Sequence, residues 1–404
     1  MTAAPDVARL RAQFPALASD FIFLENAGGS QVPASVPDAM RDYMRSSYVQ
    51  LGAPYDLSRK ATDTVAEAHH FANVFVNAGK AGKAIIGPST TQLCAMLAEC
   101  YERALEPGDE IVIAETAHEA NAGPWAKMKA KKFKVHTWKM DPDNFECSMS
   151  ELKELLNGQT RIVAFPHVSN LLGQIVDVAA ITKLAHRFGA RVVVDGVAYA
   201  PHRAIDVQAW DVDFYAYSVY KVFGPHMAVL YGKNEALEQL TGPNHFFIPK
   251  DQVYKFEPGG PSHEACAGLL ASRDYFTMLA GEEGEVTHKT VQRAFEVATE
   301  LELPLQSRLI DYLSSKKGVK IVGPGISGAE RVPTISFLHK KKSLDIATKV
   351  CAAGIGIRSG HMYAHRLCQA AGIDLVDGVV RVSAVHYNTV AEIDRLIEAL
   401  ETIL

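Results

Sequence analysis

One stretch limits the possible folds more than any other: Val192 to Lys221. Val192-Val193-Val194 is an unbroken β-branched run that stops at Asp195. Such a run, ended by a charge, is the pattern of a strand buried on both faces of a parallel sheet. Open α/β sheets bind ligands beyond the carboxyl ends of their strands, and Asp195 stands at that end. Phe214-Tyr215-Ala216-Tyr217-Ser218-Val219-Tyr220-Lys221 supplies a second strand, then a hydroxyl and an amine. An acid that pairs with a pyridinium nitrogen and a lysine that holds an aldehyde as a Schiff base are what a pyridoxal 5'-phosphate (PLP) site requires. Alone, Asp195 also fits a helix cap and Lys221 a solvated loop. Their order, with Ser218 and the apolar Val222-Phe223-Gly224-Pro225 beside the lysine, favours the cofactor.

The rest of the chain repeats the strand-helix alternation of a parallel sheet with helices on both faces. An amphipathic helix is expected over 6–17, with Val7, Leu10, Phe14 and Leu17 on one face, and a strand over 21–24. The paired glycines of Glu25-Asn26-Ala27-Gly28-Gly29-Ser30 let the backbone approach another surface closely. Helices follow near 34–47 and 61–79, and Ala84-Ile85-Ile86 is a strand. Past Gly87-Pro88, the hydroxyls of Ser89, Thr90 and Thr91 open a helix, where free backbone amides and the helix dipole suit a phosphate. Strands are expected at 110–114, within 130–138, at 161–165, 192–194 and 226–232, with a helix over 176–188. Residues 241–263 read as a loop at the site or an interface. A helix over 287–316 should kink or break at Pro304. Strands near 333–338, 355–358 and 378–384 and a helix from 389 complete a small α+β unit.

Composition narrows the function classes. A chain of 404 residues allows a large core and two domains. A net charge of −5 gives no reason to expect nucleic acid or an anionic membrane as partner. No stretch approaches the roughly 20 apolar residues of a membrane span. Met1-Thr2-Ala3-Ala4-Pro5-Asp6 lacks the basic-then-apolar order of a secretory leader. Cys94, Cys100, Cys147, Cys266, Cys351 and Cys368 form no CxxC pair or metal-like cluster, so a reducing, cytoplasmic setting is expected.

From Leu24 to the C-terminal helix the chain resembles the class V aminotransferases, the fold-type-I PLP enzymes that include cysteine desulfurases and selenocysteine lyases. Asp195-Gly196 matches the family's Asp-Gly step, and Ser218-Val219-Tyr220-Lys221 stands at its Ser-Gly-His-Lys. His167-Val168-Ser169-Asn170-Leu171-Leu172-Gly173 matches the asparagine-bearing loop, and Val380-Arg381-Val382-Ser383 the carboxylate-gripping arginine. The resemblance implies the fold: a large PLP-binding α/β domain (18–285) with a mostly parallel seven-stranded sheet, and a small C-terminal α+β domain (286–404), joined by the segment 1–17. It implies that Lys221 carries the Schiff base and Asp195 pairs with the pyridine nitrogen. It implies that Thr90, Thr91 and Ser218 hold phosphate and that His118 stacks on the ring. Asn170 lies near the cofactor and the substrate carboxylate, which Arg381, with Arg358, grips. The implied assembly is a homodimer with shared sites, the Phe256-Glu257-Pro258-Gly259-Gly260 loop crossing to the other subunit.

The departures bear on the reaction. Cysteine desulfurases of this type carry a sulfur-accepting cysteine two residues after Arg-Ser/Thr-Gly-His. Here Arg358-Ser359-Gly360-His361-Met362-Tyr363 puts a phenol there, and Cys368 lies five residues further on. Tyr220 replaces the histidine before the lysine, Ala198 a glutamine near the cofactor's phenolic oxygen, and Gly259-Gly260 the Gly-Thr that reaches a phosphate across the dimer. The expected activity is therefore β-elimination from a cysteine-derived amino acid, a C–S lyase, with Tyr363 or Tyr220 as proton donor. Desulfuration through another thiol, transamination and epimerisation are the alternatives, along with a PLP-binding chain that does no chemistry.

Overall fold

The computed structural model describes residues 6–404, so the leader expectation, which rests on residues 1–5, lies outside the described residues. The first helix spans only Val7–Arg11, with Asp6 capping it through Ala8 and Arg9 N–H groups. The expected helix over 6–17 fails because Pro15 holds Phe14 in an extended conformation, and a 3₁₀ turn, Pro15–Ala18, follows. Leu10, Phe14 and Leu17 still reach the core. Strand β1 (Ile22–Phe23) does not join the large sheet and pairs instead with the C-terminal region.

Helices Ser35–Ser46 and Asp56–Phe75 lead to the large sheet. Its strands are β2 (Gly82–Gly87), β3 (Glu110–Ala114), β4 (Lys134–Trp138), β5 (Thr160–Pro166), β6 (Arg191–Asp195), β7 (Phe214–Ser218) and β8 (Ala228–Lys233). They lie in the order β2-β8-β7-β6-β5-β3-β4. Strands β7, β6, β5, β3 and β4 run parallel, and β8 is antiparallel to both its neighbours. The valine run explains the two-faced burial: Val192 and Val194 enter one core and Val193 the other. The chain reverses its direction of travel across the sheet between β3 and β5, where open α/β sheets form their ligand crevice.

The C-terminal region contains β9 (Lys320–Val322), β10 (Thr334–Leu338), β11 (Ile355–Gly356), β12 (Arg358–Gly360) and β13 (Val379–Ser383). Strands β12-β13-β10-β9 form an antiparallel sheet, and β11 pairs in parallel with β1. This sheet has its own core, built from residues such as Ile335, Phe337, Val380 and Leu396. The helix His288–Ser315 links the two regions and passes through Pro304 unbroken. Its first half (Val291, Phe295, Ala298) packs in the large core and its second half (Leu305, Leu309, Leu313) in the small one. Burial on both sides of the proline holds the helix together despite the missing N–H. No helix among the described residues is long and apolar enough to cross a membrane.

Candidate active site

Segments from five strands converge at the carboxyl edge of the sheet. Asp195 ends β6, Ser218 ends β7, Asn170 lies past β5, His118 past β3, and β2 leads into the helix Thr90–Ala104. Ser89 caps that helix by accepting from Gln92 N–H. Ser89, Thr90, Thr91, His118, Asn170, Asp195, Ser218, Tyr220 and Lys221 line one cavity of about 250 Å³.

Each side chain has a local reason for its place. Lys221 closes the 3₁₀ turn Val219–Lys221 directly after β7. Its amine is pulled down to about 8 by burial and by the positive field of Arg381, against the pull of Asp195 and Glu25. Asp195 is buried, and among the described residues its carboxylate receives one hydrogen bond, from Val197 N–H at 3.0 Å. Burial pushes its carboxyl upward, opposed by that hydrogen bond and by Lys221. Thr90 and Ser218 meet hydroxyl to hydroxyl at 2.8 Å beside the helix N-terminus. His118 accepts from Ala120 N–H at Nδ1, 2.9 Å away, so the neutral ring carries its proton at Nε2. Burial, with the charges of Lys221 and Arg381, pulls His118 down to about 4, so the ring is uncharged at neutral pH.

Asn170 donates to the Met362 carbonyl at 2.8 Å, while its Oδ1 is buried with no hydrogen-bond partner among the described residues. Arg381 lies behind it, only 3 % exposed, and donates to the Asn170 carbonyl at 3.3 Å. Arg358 is its register partner across β12 and β13. Neither arginine lines the cavity itself. Tyr363 is 62 % exposed, with its ring centre 5.3 Å from that of His118. Met362 and Tyr363 both adopt left-handed backbone conformations, at φ 46° and 62°. The Tyr363 carbonyl accepts from Glu119 N–H, which pins this turn over the start of the helix Glu119–Lys127.

Gly260 is not brought to this cavity. It lies, at φ 77°, in a separate cleft with His69, Tyr254 and Glu257. Cys368 sits on the helix His365–Ala370, fully buried, with its thiol pushed up to about 11 by burial. It packs in an apolar cluster with Leu171, Leu367 and Ile373. No cysteine is among the residues lining the cavity.

Two side chains escaped the sequence reading. His226 lines the cavity and stacks on Tyr220 at 4.5 Å and 5°. Glu25 reaches both Arg358 and Arg381. The flagged glycine pair was the signal for Glu25: a Cβ on Gly28 would stand 2.1 Å from Glu25 Oε1, and one on Gly29 3.4 Å from the Tyr220 ring.

Residues 22–396 match the family described as aminotransferase class-V. The chain belongs to that family. It is 40% identical over 409 residues to the aminotransferase-like protein FGM3 of Gibberella zeae, covering 98% of each chain. It is 32% identical to a cysteine desulfurase of Dickeya dadantii, covering 98% of this chain and 96% of that one. The crystal structure of the Escherichia coli cysteine desulfurase CsdA, in its S-sulfonic acid form, superposes with a TM-score of 0.82 at 27% identity, over 98% of both chains. The fold-type-I architecture expected from the sequence is the one observed, and the protein is a PLP-dependent enzyme of this cysteine-desulfurase-like family.

The cavity suits the cofactor on its own terms. A buried carboxylate with a single hydrogen bond calls for a cation, which a protonated pyridine nitrogen supplies. The unpartnered Asn170 Oδ1 calls for a donor. A helix N-terminus flanked by Ser89, Thr90 and Ser218 receives an anion.

Proposed function

We propose that the protein is a C–S lyase, eliminating the β-substituent of a cysteine-derived amino acid. The observation that supports this over desulfuration is the phenol of Tyr363 at the loop position, with no thiol lining the cavity and Cys368 locked in a core. PLP, when bound, supplies the aldehyde that bonds the lysine and a ring that draws electrons from the substrate Cα.

The residues divide the remaining work. Ser89, Thr90, Thr91, Ser218 and Tyr220 hold the phosphate end. Asp195 would keep the ring nitrogen protonated, and neutral His118 would cover the ring face. Asn170 and Arg381, with Arg358, orient the substrate carboxylate through fixed guanidinium donors. Lys221, displaced from the aldehyde by the substrate's amine and free of its proton more readily than an ordinary lysine, would take the proton from Cα. The Cβ–S bond then breaks, the sulfur leaving with the bonding pair. Tyr363 or Tyr220 protonates it, and addition of water yields ammonia and pyruvate. The enzyme works as a cytoplasmic homodimer, the Gly259–Gly260 turn of one subunit completing the phosphate site of the other.

Incubation with L-cysteine, S-substituted cysteines and 2-oxo acids tests the reaction. Ammonia and pyruvate in equal amounts are the expected products. Alanine plus sulfide would replace elimination with desulfuration. A new amino acid from an oxo acid would point to transamination, and an inverted Cα alone to epimerisation. No product from any of these would favour a chain that binds PLP without using it.

A further inference from the structure

Glu25 stands where three distant segments meet. It follows β1 and forms a backbone bridge with Ser383 at the end of β13. Its Oε1 lies 3.2 Å from Arg358 Nη1 and 3.4 Å from Arg381 Nη2. The two arginines face each other across β12 and β13, so like charges are directly opposed, an arrangement that an anion between them relieves. Arg381 is buried, and its Nε has no hydrogen-bond partner among the described residues. A guanidinium offers five N–H donors, so the pair keeps donors for one further carboxylate. A Cβ at residue 28 would stand 2.1 Å from Glu25 Oε1, so the glycine leaves room for the carboxylate where it lies. The cluster is within electrostatic reach of Lys221, whose amine responds to Glu25, Arg358 and Arg381 alike.

We propose that Glu25 is a specificity-determining residue that restricts the substrate to amino acids whose only carboxylate is the α-carboxylate. Two guanidinium charges less that of Glu25 leave one positive charge, which one α-carboxylate balances. A side-chain carboxylate adds a second negative charge near Glu25 and is repelled, while a neutral or cationic side chain is not. This rests on the amino-acid reading above and adds the charge class of the side chain.

The test uses PLP-loaded wild type, Glu25→Gln and Glu25→Asp, titrated with L-asparagine and L-aspartate, which match in shape and differ in charge. Half-saturation is read from the change in visible absorbance, and melting curves report folding. Wild type should favour asparagine by roughly tenfold or more, the scale of one unscreened charge pair near a protein surface. Glu25→Gln should bring that ratio close to one, and Glu25→Asp should keep it. Calorimetry with propionate and succinate, which lack an amine, should repeat the pattern without reaction at the cofactor. An unchanged ratio in Glu25→Gln, or an equal loss of affinity for both ligands, would overturn the proposal and leave the enzyme reading standing. If Glu25→Gln does not fold, a wild type that binds aspartate as well as asparagine overturns it. No absorbance response to any amino acid in any of the proteins would instead overturn the amino-acid reading beneath it.

Discussion

Lys221 carries a stability cost that can be read without substrate. Its amine titrates near pH 8 in the folded chain and near ~10.4 when unfolded, so the unfolded state binds more protons between those values. Below pH 8 the folded protein carries the full penalty of a confined charge, and as pH rises towards 10 the penalty disappears. Lys221→Met in the cofactor-free protein should therefore be more stable than wild type by about 1–3 kcal/mol at pH 7, allowing for partial exposure. Urea unfolding of both proteins across pH 7–10 measures this. The advantage should shrink as pH rises, and a constant difference would mean that packing rather than charge is responsible. At this scale Lys221, Asp195 and the Thr90–Ser218 pair were legible because their chemistry is carried by residue type beside a strand end. Glu25 was not, since its partners lie 333 and 356 residues away and only the closed fold brings them together.

Among the elements, the helix His288–Ser315 joins the two cores, and its midpoint is fastened by a buried carboxylate. Glu302 is fully buried and receives His202 Nδ1 at 2.9 Å and Arg203 Nη1 at 3.3 Å. Arg203 also donates to the Arg331 carbonyl, tying the turn after β6 to the approach to β10. Glu302→Ala leaves the buried His202 and the Arg203 guanidinium without their carboxylate and should cost about 3–5 kcal/mol, measured by urea unfolding. Loss of less than 1 kcal/mol would show that water replaces the carboxylate at this junction. The strands were mostly legible, since runs such as Ile111–Ala114 and Val192–Val194 are apolar and end at a charged residue. The direction of β8 was not, because side-chain alternation is the same in either direction. Pro304 does not interrupt its helix because tertiary burial outweighs one local hydrogen bond, and Pro15 ends the first helix inside an apolar spacing that reads as helical.

For the whole molecule, exposed aromatic surface and the displaced Gly260 point the same way. Phe246 and Phe247 are 99 % and 70 % exposed on the segment that leads to Gly259 and Gly260. We expect this exposed aromatic pair to lie at the dimer contact. Sedimentation should find a dimer, and Phe246→Ser with Phe247→Ser should shift it towards monomer and loosen PLP retention; an unchanged dimer would place the contact elsewhere. The large sheet and the separate C-terminal sheet followed from the order of apolar runs. The β1–β11 pairing that ties the N-terminal segment to the C-terminal region did not, since a two-residue strand has no periodicity to read. The account as a whole depends on Lys221 bonding PLP. Borohydride reduction of the PLP-loaded protein, followed by peptide mapping, tests that directly. A pyridoxyl group on the peptide containing Lys221, and none after Lys221→Ala, is the predicted result. A label on another lysine, or no label on a protein supplied with PLP, would contradict it.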